Sequence, residues 1–93
     1  MISVPVLSMF FGIIVRMYRE QGGKHNIPHI HAEYSGVEIV MALDGTVIEG
    51  EKQFPKNKQK MLEVWMDIHR EDLEANWKLL SNGEQFFRID PLK

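Results

Sequence analysis

Pro28-His29-Ile30-His31-Ala32-Glu33-Tyr34-Ser35-Gly36-Val37-Glu38-Ile39-Val40-Met41-Ala42-Leu43-Asp44-Gly45-Thr46-Val47-Ile48-Glu49-Gly50-Glu51 is the stretch that decides the fold. Three runs rich in β-branched and apolar residues are divided by two turn signals, Ser35-Gly36 and Asp44-Gly45. Small and glycine-containing dipeptides supply the positive φ that tight hairpin turns require, and Asp-Gly is the stronger of the two signals. The reading is an antiparallel meander with strands over 28–34, 37–43 and 46–51. A two-residue loop at Ser35-Gly36 also predicts register: Tyr34 faces Val37, Ala32 faces Ile39 and Ile30 faces Met41. These six form one apolar face, extended by Leu43 and Ile48. The opposite face pairs Glu33 with Glu38, His31 with Val40 and His29 with Ala42. A slip of one residue would bury the histidines and expose the isoleucines, so the register is well specified. Two carboxylates placed opposite one another call for a cation, which Arg16, a protonated histidine or a metal could provide.

Outward from this stretch, Phe11, Ile13, Val15 and Met17 alternate with Gly12, Ile14, Arg16 and Tyr18, which predicts one long strand over 9–19. Residues 1–8, with Pro5, read as an N-terminal arm, and 20–27, with Gly22-Gly23, as a flexible loop. Pro55 suits the first turn of a helix. From about 56 to 80 the spacing is helical: Met61, Val64, Trp65 and Ile68 form one set, Leu73, Trp77 and Leu80 another. The sets drift relative to each other across His69-Arg70-Glu71-Asp72, which predicts one bent helix or, preferably, two consecutive ones. Asn82-Gly83 ends the helical region, and 85–89 read as a short final strand closed by Pro91. The fold class is α+β: a mainly antiparallel sheet of four or five strands, with the helices packed on its apolar face.

The bulk numbers narrow the function classes. The chain has 93 residues, 44% of them hydrophobic and 26% charged, as in one small folded domain. Its longest apolar stretch, 4–15, is interrupted by Pro5, Ser8 and Gly12, too short for a membrane span and without the flanks of a signal peptide. No cysteine is present, so disulfides and thiol chemistry are excluded, and a cytoplasmic location is the expectation. A net charge of −2 gives no general attraction to nucleic acid.

Chemistry concentrates at His25, His29 and His31. Because side chains alternate along a strand, His29 and His31 leave the same face of the sheet. Three readings stay open. In the first, His29, His31 and Glu33 hold a zinc-like divalent metal, with His25, Glu38 or His69 as further candidate ligands. In the second, His29 and His31 act as general acid and base on an RNA phosphodiester while Arg16, Lys24 or Arg19 holds the phosphate. In the third, the histidines are structural, His29 bonded to loop backbone and His31 half-buried beside Tyr18. Trp65 and Trp77 read as core or interface anchors, and Lys52, Lys56, Lys58 and Lys60 as a solubilising cluster at the helix start.

The Pro28-His29-Ile30-His31-Ala32-Glu33-Tyr34 run is followed by Leu43-Asp44-Gly45, Glu49-Gly50, Val64-Trp65, Leu73, Asn76-Trp77, Asn82-Gly83-Glu84 and Ile89-Asp90-Pro91-Leu92. This pattern resembles the bacterial family called domain of unknown function 4160, over about residues 10–92. The resemblance implies a gene often beside a second small domain, domain of unknown function 2442, regarded as antitoxin-like or DNA-binding. It therefore implies a toxin–antitoxin-like pair, with the histidine motif falling on His29 and His31 and the preceding histidine on His25. Members often carry an acid before that first histidine and a proline run before the motif; Lys24 and Ile27 stand here instead. The expectation is a protein acting with a small antitoxin-like partner. Histidine-dependent RNA cleavage, a non-catalytic binding module and a metal-binding accessory domain are the competing activities, and a homodimer is a further candidate assembly. Lys24, His25, Trp65 and Trp77 are the candidate binding residues.

Overall fold

The computed structural model describes residues 5–18 and 27–93. Five strands precede two helices: β1 (Val6–Phe10), β2 (Ile13–Arg16), β3 (His29–Tyr34), β4 (Val37–Ala42), β5 (Val47–Glu49), α1 (Lys56–Ile68) and α2 (Arg70–Ser81). The strands form one antiparallel sheet in the order β1-β2-β3-β4-β5, so the α+β architecture is the one the sequence predicts. The central hairpin carries the predicted register in full, from Tyr34 opposite Val37 to His29 opposite Ala42, with Glu33 facing Glu38.

The long strand expected over 9–19 is instead a hairpin. Phe11 (φ 47°) and Gly12 (φ 82°) turn the chain through two left-handed residues, so that Phe10 pairs with Ile13. Alternating apolar residues run unbroken through this turn, and an aromatic residue seldom adopts positive φ, so the sequence masks it. Val6 to Ser8, expected in the arm, therefore belong to the edge strand β1. At the next hairpin, Ala42 N–H donates to the Thr46 carbonyl at 2.8 Å, which makes Leu43-Asp44-Gly45 a three-residue loop rather than the two-residue one expected. That extra residue shifts the register, so Met41 pairs with Val47. Val47, not Ile48, packs on the core.

One face of the sheet presents Leu7, Phe10, Ile13, Val15, Ile30, Ala32, Ile39 and Met41 to Leu62, Trp65 and Met66 of α1 and Leu73 of α2. Burying each of the larger side chains contributes roughly 1.5–3 kcal/mol. Gly50, at φ 89°, lies against the Glu38 carbonyl, and this close approach leads the chain from β5 into the turn where Phe54 enters the core. Two separate helices are present, as preferred from the drift in spacing. His69 (φ −106°, ψ 25°) joins them, its N–H donating to the Trp65 carbonyl and its carbonyl accepting from Leu73. The buried stripe of α1 is rotated from the expected one: Val64 and Ile68 are exposed at 52% and 62%.

The final strand expected over 85–89 does not form; residues 84–93 carry neither strand nor helix. Side chains hold this segment instead. The Trp65 indole N–H donates to the Asp90 carbonyl at 2.8 Å, and the buried Asn76 amide bonds both backbone groups of Phe87 at 2.9 Å. Among the described residues no helix is long and apolar enough to cross a membrane.

Candidate functional site

β3 sets the geometry of the histidine face. His29 and His31 project from the side opposite Ile30 and Ala32, their rings 5.2 Å apart and steeply inclined at 63°. β2 places Arg16 directly opposite His31 and Ile14 opposite Glu33, while β4 brings Glu38 opposite Glu33. The cofacial arrangement of His29, His31 and Arg16 is thus present. Its surroundings differ from an open catalytic cleft.

His29 is fully buried, and His31 is only 7% exposed. The Nδ1 of His29 lies 2.7 Å from the Ile27 carbonyl, an acceptor only, so Nδ1 carries a proton and donates it. One edge of the ring is fixed to the backbone at the entry to β3, and Trp77 of α2 packs beside it at 5.2 Å. His31 stacks on Tyr18 with ring centres 4.3 Å apart and 16° between planes. Its Nδ1 faces Glu38 Oε2 at 3.3 Å. The Nε2 atoms of both rings are shielded from solvent.

The two carboxylates that face one another across β3 and β4 are drawn apart by different partners. Glu33 Oε1 lies 3.5 Å from the Arg16 guanidinium, and Glu38 turns to His31. This answers the repulsion that the register creates, through the arginine and the imidazole named from sequence. Both pairs border a shallow recess of about 260 Å³, lined by Arg16, Tyr18, His31, Glu33 and Glu38 with Ile14. Among the described residues no three histidine or acidic side chains converge to hold a metal ion. Glu33 is engaged with Arg16, and His69 contacts Asp72 at 3.7 Å and Trp65 on the helical side. His25, Lys24 and Arg19 lie outside the described residues.

Of the two tryptophans named as binding residues, Trp65 is fully buried in the core and Trp77 is half-buried. A larger cavity of about 450 Å³ opens beside Trp77, between α2 and the ends of β3 and β4, lined also by Ile27, Pro28, Leu43, Asp44 and Arg70. At its rim the Asp44 carboxyl is held below its ordinary value, first by the Thr46 backbone N–H and then by the Thr46 side chain. Sequence reasoning passed over Asn76. A fully buried asparagine within an otherwise amphipathic helix is the signal that would have found it.

The family model described as "Domain of unknown function (DUF4160)" matches residues 12–78, and the chain belongs to that family. No curated protein and no solved structure matches the chain.

Proposed function

Taking membership of the DUF4160 family as the premise, we propose that this protein is a non-catalytic binding domain, one half of a two-protein, toxin–antitoxin-like module. In this reading His29 and His31 build the sheet and a partner protein supplies or receives the activity. The observation that carries the reading is the burial of both imidazoles, each with Nδ1 engaged and Nε2 shielded from solvent. A general acid or base must come within hydrogen-bond reach of the proton it moves, which a sequestered ring nitrogen does not do. The partner is the small antitoxin-like protein that the family resemblance implies.

A second reading rests on the His31–Glu38 contact. A carboxylate at Nδ1 orients an imidazole and stabilises its charged form, as in hydrolytic dyads, and Arg16 stands opposite. On that reading His31 is the general base on an RNA 2′-hydroxyl, Arg16 leaves Glu33 for the phosphate, and His29 is a positioning residue.

One experiment separates them. The purified full-length chain and its His31→Gln variant are incubated with single-stranded RNA, and both are induced in a bacterial host at matched levels. The binding reading expects no cleavage, equal growth for the two chains, and a stoichiometric complex on coexpression with a domain of unknown function 2442 protein. Cleavage or growth arrest that disappears in His31→Gln, at unchanged thermal midpoint, overturns it in favour of the second.

A further inference from the structure

Burial in the C-terminal segment recurs at every third residue. Phe86, Ile89 and Leu92 pack on the core, whereas Phe87, Arg88, Asp90 and Pro91 are exposed. A threefold repeat without strand or helix is the pattern of a polyproline-type extended chain, which makes no internal hydrogen bonds. Its backbone groups must be satisfied from outside. The globular part does so at four points. Asn76 donates to the Phe87 carbonyl and accepts from the Phe87 N–H, both at 2.9 Å; Trp65 donates to the Asp90 carbonyl at 2.8 Å; and the Leu7 carbonyl of β1 accepts from the Ile89 N–H at 3.0 Å. The two carbonyls read by side chains are those of residues 87 and 90, three apart and so on one side of such a chain.

Both reading side chains, Trp65 and Asn76, are fully buried. These four contacts touch main chain alone, and specificity is left to the apolar residues at 86, 89 and 92. This is how grooves that bind extended peptides work: main-chain bonds fix the path, and pockets for spaced side chains select the sequence. The globular part therefore contains a peptide groove, filled by the chain's own end.

Nothing in those contacts depends on which molecule the segment belongs to. The segment joins α2 through residues 82–85, all four exposed. We propose that the groove also accepts the C-terminal segment of a second copy, giving a dimer that exchanges residues 86–92 about a twofold axis. Such exchange keeps every native contact and changes only the path of the hinge. A short flexible linker gives the cis segment an effective concentration in the millimolar range, so the monomer prevails until cis closure is hindered. This inference is independent of how the histidine face is read.

Deleting Gly83 and Glu84 halves the linker and removes roughly 7 Å of reach. Light scattering on this variant is expected to show a dimer, and adding Ile89→Glu is expected to return it to a monomer. In a second arm, the full-length Ile89→Glu chain, or Ile89→Ala should glutamate unfold it, is titrated with a fluorescent peptide of residues 84–93. Saturable binding is expected, weakened about tenfold by Trp65→Phe, which keeps a ring in the core and loses the N–H donor. A folded, monomeric deletion variant overturns the second copy as occupant; peptide binding alongside it would assign the groove to a partner's segment of the same spacing. If the deletion variant does not fold, the titration decides alone: no binding, or binding indifferent to Trp65→Phe, overturns the proposal.

Discussion

At the scale of the residue, the most exposed test of the geometry is Gly50. A Cβ there would meet the Glu38 carbonyl and the Ile39 backbone, and φ 89° is a conformation that alanine resists. Backbone cannot move aside as a flexible side-chain tip can. Gly50→Ala is therefore expected to lower stability by about 2–3 kcal/mol, read as a fall in the urea midpoint at unchanged slope. His29 makes a related argument about the site. Removing its ring by His29→Ala leaves the Ile27 carbonyl without its donor and a void beside Trp77, at a cost of roughly 2–4 kcal/mol. A loss below about 0.5 kcal/mol would show that the ring is not architectural. Asp44 carries a pH signature. Bonding to Thr46 depresses its carboxyl below the ordinary 3.8, so the native state holds fewer protons than the unfolded chain in that region. Its contribution is therefore present above pH 3.8 and lost as pH falls through the lowered native value. Acid titrations of wild type and Asp44→Asn, followed by circular dichroism, are expected to differ above that window and converge below it.

At the scale of the element, the helices show how far spacing can be trusted. Met61, Val64, Trp65 and Ile68 satisfy a helical face, yet Leu62, Trp65 and Met66 form the buried stripe. Both sets are compatible with 3.6 residues per turn; only the crossing of α1 over the sheet chooses between them. Lysine at 64 or 68 is accordingly expected to change stability by less than about 0.5 kcal/mol, and Leu62→Ala to cost about 2–5 kcal/mol. Paired thermal melts decide it, and the opposite ranking would restore the stripe read from sequence. The hairpins divide in the same way. β3 and β4 were legible because alternation, turn chemistry and cross-strand pairing all favour one register. β1 and β2 were not, since Phe11 supplies no turn signal and enters the left-handed region because its neighbours hold it there. The C-terminal segment was misread for a different reason. Two adjacent phenylalanines suggest a strand, and a threefold repeat emerges only when Ile89 and Leu92 are known to share the burial of Phe86.

At the scale of the whole molecule, half of the candidate site was legible: His29, His31 and Arg16 do share a face, and the Glu33–Glu38 opposition does recruit Arg16 and His31. That this face is closed over was not legible, because burial there depends on side chains brought from elsewhere, such as Trp77, and not on the strand's own alternation. Closure of the chain as a whole follows the same logic. Every strand pairs with its sequence neighbour, so the sheet is assembled from local contacts. The contact that ties the two ends together is the one between Ile89 and Leu7, and it depends on the side chains that seat the C-terminal segment. Asn76 is the most demanding of these, for it alone satisfies two backbone groups of one residue. Asn76→Ala leaves both Phe87 groups without their side-chain partners and is expected to cost about 2–3 kcal/mol. Hydrogen exchange should localise that loss. Amides of residues 86–90 and of β1, the edge strand they lie against, are expected to exchange faster, while those of β3 and β4 follow only the global change. Protection lost evenly across all five strands would mean that the segment is part of one cooperative core. Protection unchanged in β1 would mean that the edge is held without it, and that the two ends of the chain are energetically separate.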